Sequence, residues 1–184
     1  MKILASTITF DNASDITTQN IGVQCFADSA LVTPGRPFFL PDFSTGWLMK
    51  AHLAVRISRL GKNISTRFAH RYYDAASLLL QLMPTDTGAQ GISCIFDSAL
   101  YLYPWLPLPE DDTLLTAQVL GQDVDLSGMY HIIDSTVSHI SSFATLKIGD
   151  IIMPCSLSGT VDVTIGSELP ASLFATELPA LHIK

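Results

Sequence analysis

The stretch from Trp47 to Ser58 alternates between two kinds of side chain. Every second residue from Met49 to Ile57 is apolar, whereas the positions between them include Lys50, His52 and Arg56. A period of two residues is typical of a β-strand with one buried face. The pattern therefore predicts a strand that carries Lys50 and His52 side by side on its more polar face.

One helix stands out in the rest of the chain. Apolar residues between positions 126 and 144 recur at the spacing of a helix with a single buried stripe. After this helix, 145–154 predicts a turn at Gly149–Asp150 followed by a strand, and the tail predicts two strands separated by residues 167–180. Residues 64–83 begin with a helix cap at Ser65 or Thr66 and then fit either a helix or a strand.

The other segments predict short strands and loops. Strand patterns cover residues 1–10, 29–32 and 113–121, polar loops cover 11–20 and 84–91, and residues 92–112 predict buried, irregular chain because of their prolines. Many strands with one helix favour an α+β fold, here in a single domain spanning residues 1–184.

Composition changes the picture by suggesting a partner. The 184 residues are 48% apolar but only 15% charged, against about 25% charged in an average soluble domain. Such a chain is expected to bury part of its surface against a copy of itself, which predicts a homodimer. The net charge of −7 comes with only ten basic residues and predicts no basic patch. Binding to nucleic acid or to an anionic membrane is therefore not expected.

The cysteines and apolar runs indicate a compartment. Cys25, Cys94 and Cys155 lack metal-site spacing, so they predict buried, reduced thiols in a cytoplasmic protein. No apolar run reaches the roughly 20 residues that span a bilayer. The N-terminal residues also lack the features of a signal peptide.

Four stretches, in order, resemble signature runs of the fumarylacetoacetate hydrolase family. They are CFADSALVTPGRPFFLP (25–41), YYDAASLLLQ (72–81), IFDSALYLYPWL (95–106) and SSFATLKIGDIIMPCSLSG (141–159). The resemblance covers about 25–160 and implies the mixed β-roll of the family's C-terminal catalytic domain, often as a dimer. It points to members of the 2-hydroxyhepta-2,4-diene-1,7-dioate isomerase and acylpyruvase type, which cleave, decarboxylate or isomerise 2-oxo acids and acylpyruvates.

The resemblance also implies a metal site, and most of its ligands are missing here. Family members hold magnesium, manganese or calcium with a Glu-x-Glu pair on a strand and an aspartate, since carboxylates suit hard cations. Lys50 and His52 stand in place of the glutamates, and Asp74 matches the aspartate. Cys94 replaces a family lysine, and Ser156 keeps the hydroxyl of a Gly-Thr loop.

Charge suggests how this site is rebuilt. Asp74 and Lys50 balance each other while His52 is neutral, so the cluster needs no metal. We therefore hypothesise that the Lys50 ammonium occupies the metal position and pairs with Asp74. Two alternatives remain open: a solvated strand face at Lys50 and His52, or a site in which His52, Asp74 and His70 bind zinc, which imidazole suits.

Three functions follow from the resemblance. The first is a divergent member without cofactor or metal-dependent catalysis, acting as a binding or structural subunit. The second is an active hydrolase, isomerase or decarboxylase on small dicarboxylic or 2-oxo acids, with Lys50 binding the substrate carboxylate beside His52, Asp74 and Ser156. The third is an interaction domain whose pocket is filled by bulky side chains. For Asp74, a structural role is an equal expectation, and for Cys94 an inert buried thiol is expected.

Overall fold

A computed structural model describes residues 1–10, 21–86, 88 and 92–184. The predicted loop 11–20, and part of the predicted loop 84–91, lie outside these residues. The described elements are β1 (Ile3–Ser6), β2 (Val23–Phe26), β3 (Leu31–Val32), β4 (Trp47–Ile57), β5 (Tyr73–Pro84), β6 (Leu100–Leu102), β7 (Leu106–Pro107), β8 (Thr116–Val119), β9 (Gln122–Asp125), helix α1 (Met129–Phe143), β10 (Ile151–Val163), β11 (Glu168–Leu173) and β12 (Thr176–His182).

The strands form two sheets in the described part of the chain. The larger sheet has the order β2-β1-β10-β4-β5-β6-β3, with β7 also paired to β5, and it curls into a half-barrel. The smaller sheet has the order β12-β11-β8-β9. Mixed pairing, with β1 parallel to β10 and β4 antiparallel to β5, confirms the predicted α+β fold. No helix among the described residues has the length and hydrophobicity needed to cross a membrane.

The strand predicted from alternation is the centre of the larger sheet. β4 pairs along its length with β5 on one side and β10 on the other. Met49, Ala51 and Leu53 are fully buried, as the pattern predicts. The opposite face is also largely covered, since His52 is 5% exposed and Ala54 is not exposed at all. The alternative of a solvated strand face is therefore wrong at His52, because that side chain is buried.

Residues 64–83 contain both short helix and strand. Thr66–Arg71 is a 3₁₀ segment without a side-chain cap from Ser65, and β5 follows at Tyr73. The 3₁₀ segment packs against α1 and is tied to it where the Ile64 amide donates to Ser141 Oγ at 2.8 Å. The helix and the turn at Gly149–Asp150 are where the sequence predicts them.

Three predictions about the smaller elements are wrong. Residues 92–112 include β6 and β7, and β9 follows β8 without being predicted. In the tail, β11 and most of β12 lie inside the stretch expected to separate two strands. The turn between β11 and β12 explains the last error. Phe174 and Ala175 adopt positive φ angles of 53° and 56°, a conformation usually signalled by glycine, so the sequence carries no turn signal there.

Asp150 fixes the start of β10 to the N-terminal strand. Its Oδ1 accepts a hydrogen bond from the Lys2 amide and its Oδ2 accepts one from the Lys147 amide, both at 2.8 Å. The Lys2 ammonium also pairs with Oδ2. Burial alone would raise the pKa of Asp150, but these hydrogen bonds and the Lys2 charge together hold the pKa below its usual value.

We predict that Asp150→Asn lowers the free energy of unfolding at neutral pH by about 2 kcal/mol, because it removes charged hydrogen bonds from a buried site. The lowered pKa means that the carboxylate stabilises the fold above its unfolded-state pKa and loses this effect as the pH falls through its folded-state pKa. Urea unfolding should therefore show a smaller difference between wild type and variant in acid than at neutral pH. The exposed Asp162→Asn is the matched control, and an equal loss in both variants would contradict the prediction.

Candidate functional site

The polar face of β4 opens into a cleft of about 460 Å³. Lys50 lines one side of the cleft, and residues 156–160 of β10 line the other. Thr9, Phe10 and Gln122 complete the described wall. This volume falls within the range of about 300–1,000 Å³ typical of small-molecule sites.

Strand register brings the polar residues of the site together. Lys50 is paired with Gln81 of β5 and with Thr160 of β10, whereas His52 is paired with Leu79 and Ser156. Direct partners in a sheet project to the same face. These side chains therefore form one group on the same face of the sheet.

β10 makes room for the cleft by bulging away from β4. Four residue steps on β10, from Ser156 to Thr160, span only two on β4. Ser158 holds this bulge in place, since its Oγ accepts a hydrogen bond from the Ala51 amide at 3.1 Å and donates one to the Gly159 carbonyl at 2.8 Å. A bulge next to a cleft commonly re-aims side chains for a function.

His52 is a buried, neutral imidazole behind the cleft. Its Nε2 lies 3.0 Å from Gln81 Oε1. An amide oxygen can only accept, so Nε2 carries the proton and Nδ1 keeps a lone pair. Nδ1 is buried and has no partner among the described residues. Burial is the main cause that lowers the pKa of His52 to about 3, and the nearby charge of Lys50 is the second. The hydrogen bond to Gln81 raises the pKa but does not offset these two effects.

The predicted ion pair between Lys50 and Asp74 is wrong. Asp74 accepts hydrogen bonds from Arg56 Nε at 2.9 Å and Arg56 Nη2 at 3.1 Å. It is the extra residue of a bulge where β5 pairs with the end of β4. Gln81, the partner of Lys50, is seven residues further along β5, or about 23 Å at the usual rise of a strand. The Asp74 carboxylate is therefore too far from Lys50 to balance its charge. Asp74 instead has a structural role, which was the other expectation for this residue, since it pairs with Arg56.

The described residues do not provide a fitting metal site. They contain no group of three or more His, Cys, Asp or Glu side chains placed to hold an ion. The zinc alternative fails on position, since His70 lies on the exposed 3₁₀ segment and Asp74 pairs with Arg56, both away from His52. At the two positions where the resemblance implies glutamates, the chain offers an ammonium group and one imidazole, which do not suit a hard cation.

The three cysteines differ in their exposure to solvent. Cys155 is fully buried, and burial raises the pKa of its thiol to about 12. Cys94 is only partly buried and does not line the cleft, and Cys25 is exposed. The prediction of buried thiols therefore holds for Cys155 alone.

Gln81 is the site residue that the sequence analysis missed. It is 7% exposed, bonds His52 and lies directly across from Lys50. One signal was present, since Gln81 is an amide within the apolar run SLLLQLM (77–83). A buried amide needs a polar partner, but the sequence does not show that His52 is that partner until the register between β4 and β5 is known.

We predict that the buried imidazole makes stability depend on pH. The folded-state pKa of His52 lies well below the ordinary value of 6.5, so protonation of the unfolded chain removes stability as the pH falls below 6.5. Urea unfolding at about pH 5 and about pH 8 should show a loss of about 2 kcal/mol from this residue. His52→Gln should abolish that part of the pH dependence, whereas the exposed His182→Gln should retain it. Identical profiles for wild type and His52→Gln would refute the argument.

Solved structures similar to this chain identify the fold. A fumarylacetoacetate hydrolase family protein from Yersinia pestis CO92 matches with a TM-score of 0.81 and 20% identity, over 100% of this chain and 92% of that one. The 5-carboxymethyl-2-hydroxymuconate delta-isomerase from Mycobacterium smegmatis matches with a TM-score of 0.80 and 19% identity, over 99% of this chain and 78% of that one.

A third similar structure contains a metal. The fumarylpyruvate hydrolase from Pseudomonas aeruginosa, solved with Mn²⁺ and pyruvate, matches with a TM-score of 0.72 and 16% identity, over 99% of this chain and 88% of that one. No family model and no curated protein matches the sequence. The resemblance seen in the four sequence stretches is thus confirmed at the level of structure: this chain has the fold of fumarylacetoacetate hydrolase family proteins.

Proposed function

We propose that the cleft binds a small 2-oxo or dicarboxylic acid, with the Lys50 ammonium acting as a fixed cation, and that the protein does not carry out metal-dependent cleavage. The observation that carries this proposal is a lysine that lines a polar cleft and has no counter-ion among the described residues. Within the described residues, no carboxylate lies within 4.0 Å of Lys50. A ligand carboxylate would supply the missing negative charge.

The neighbours of Lys50 support an anionic ligand. The cleft lining contains hydroxyl groups, from Ser156 and Thr160 among others, that can donate hydrogen bonds to ligand oxygens. An ammonium–carboxylate contact of about 4 Å is worth about 4 kcal/mol before desolvation in the dielectric typical of a protein surface. Because His52 is held neutral, it neither competes for the carboxylate nor adds a second charge.

The same residues argue against a divalent cation at this position. A cation placed near Lys50 would be repelled by the ammonium and would find few carboxylate ligands among the described residues. A bound acid would therefore be held without the cation that polarises a substrate carbonyl in metal-dependent enzymes. This favours a binding or structural subunit, acting in the cytoplasm as the composition indicates, over the metal-dependent reaction.

A second candidate is an enzyme that has kept hydrolase or isomerase activity. The fold is shared with solved isomerases and hydrolases, one of them a fumarylpyruvate hydrolase. In this case Lys50 would bind the substrate carboxylate with the Ser156 hydroxyl beside it, whereas His52 is buried behind the cleft and does not line it. Asp74 has no part in substrate binding in this candidate function because it pairs with Arg56.

We predict that calorimetric titration in the presence of EDTA detects binding of pyruvate or oxaloacetate, and that Lys50→Met weakens it by about tenfold or more, since a tenfold change corresponds to about 1.4 kcal/mol. The exposed Lys147→Met removes the same charge outside the cleft and should bind like the wild type. The same samples should be tested for turnover of an acylpyruvate with and without manganese. Binding that requires manganese and is unaffected by Lys50→Met would overturn the proposal, and turnover with EDTA would favour the enzyme.

A further inference from the structure

The cleft at Lys50 continues into a second cavity, which we call the adjoining cavity. It has a volume of about 610 Å³. Its described lining consists of residues from β9 and of two apolar residues from other parts of the chain: Phe10, Gln122, Asp123, Val124, Asp125 and Leu157. Three of these, Phe10, Gln122 and Leu157, also line the cleft. A ligand as short as pyruvate would fill only part of this space, so the two cavities together admit a longer molecule.

The cleft and the adjoining cavity carry opposite charges. Lys50 is the only basic residue among the described residues that line either of them. The described lining of the adjoining cavity instead contains two exposed carboxylates, Asp123 and Asp125. Neither has a basic side chain within 4.0 Å in the described chain. One end of the combined space is therefore positive and the other negative, which favours ligands of matching charge.

The two carboxylates are fixed to β9 by hydrogen bonds. β9 is the last strand in the order β12-β11-β8-β9, and all four of its residues line the adjoining cavity. Asp123 Oδ1 accepts a hydrogen bond from Gln118 Nε2 at 3.0 Å. Asp125 Oδ1 accepts hydrogen bonds from the hydroxyl and the amide of Ser127 at 2.6 and 2.9 Å. These bonds from Ser127 lower the pKa of Asp125, which therefore stays charged at neutral pH.

Apolar side chains line the space that the two cavities share. Leu157 is buried in the core, and Phe10 and Val124 are partly buried and pack against it. Phe10 and Leu157 line both cavities, and Val124 lines the adjoining cavity. Side chains anchored in this way offer a ligand an apolar surface. Each ligand methylene group buried against such a surface strengthens binding by about fourfold.

We infer that the cleft selects 2-oxo acids with a single carboxylate and an apolar tail, and that Asp123 and Asp125 exclude acids with a second carboxylate at the far end. On the proposed function, on which this inference rests, the ligand carboxylate contacts the Lys50 ammonium. The tail then lies along Phe10 and Leu157 in the direction of β9. A second carboxylate at the end of the tail would meet two negative charges and no described cation. Of the two classes of acid in the proposed function, this leaves the 2-oxo acids with one carboxylate.

Two acids that differ only at the far end of the chain provide the test. 2-Oxohexanoate ends in a methyl group, and 2-oxohexanedioate ends in a carboxylate and is otherwise the same. In calorimetric titration with EDTA present, the wild type should bind 2-oxohexanoate about tenfold or more tightly than 2-oxohexanedioate. This preference should shrink in salt of about 1 M, because screening weakens the repulsion between exposed charges.

A charge-neutral variant tests the role of the two carboxylates. Asp123→Asn/Asp125→Asn removes both charges but keeps oxygens that can accept the hydrogen bonds described above. The variant should bind the two acids about equally, through a gain of about tenfold in affinity for 2-oxohexanedioate. A misfolded variant could not show such a gain. Asp28→Asn/Asp97→Asn makes the same change in net charge at exposed positions that line neither cavity, and should keep the wild-type preference.

Two results would overturn this inference and leave the proposed function intact. The first is a wild type that binds both acids equally, with both weakened by Lys50→Met. The second is a preference for 2-oxohexanoate that is unchanged in Asp123→Asn/Asp125→Asn, since it would then not come from these charges. Binding of neither acid, or binding that Lys50→Met does not affect, would instead refute the proposed function and this inference with it.

Discussion

The register of three neighbouring strands determines what this protein can do. β4 is paired with β5 and β10 along almost its full length, so each residue of β4 has a defined neighbour on either side. This ladder places Gln81 and Thr160 beside Lys50 and puts Leu79 and Ser156 beside His52. A slip of one residue would turn all of these side chains to the other face of the sheet. The cleft, the neutral histidine and the placement of Lys50, which has no carboxylate within 4.0 Å among the described residues, therefore all depend on this pairing.

Local features of the sequence predicted the fold well, and distant neighbours were predicted poorly. Alternation in β4, the helical stripe of α1 and the Gly149–Asp150 turn are each determined by residues close together in the chain. Asp74 was misplaced because matching motifs along the sequence does not show which residues of β4 and β5 are paired, and the start of β5 lies opposite Arg56 and Ile57 rather than Lys50. Gln81 was missed for the same reason, since its role comes from a strand 29 residues away.

An ammonium differs from a bound dication in ways that limit the chemistry. A divalent cation accepts several ligand oxygens at once and withdraws electrons from a carbonyl. Lys50 carries one charge on a flexible stem and donates hydrogen bonds without acting as a Lewis acid. The proposed function therefore assigns Lys50 to the recognition of an acid rather than to its activation. The proposal rests on the chemistry of the cleft and not on the fold, because similar folds host different functions.

Charge distribution, rather than net charge, describes the surface and the cleft of this chain. The net charge of −7 is a sum over all 184 residues and does not show how the charges are grouped. Residues 57–73 carry four of the ten Lys and Arg residues and no Asp or Glu, whereas residues 110–112 are all acidic. Lys50 is a further case, since motif matching pairs it with Asp74 while the register places it opposite Gln81. The charge at a given place therefore follows from strand register and packing, which composition does not contain.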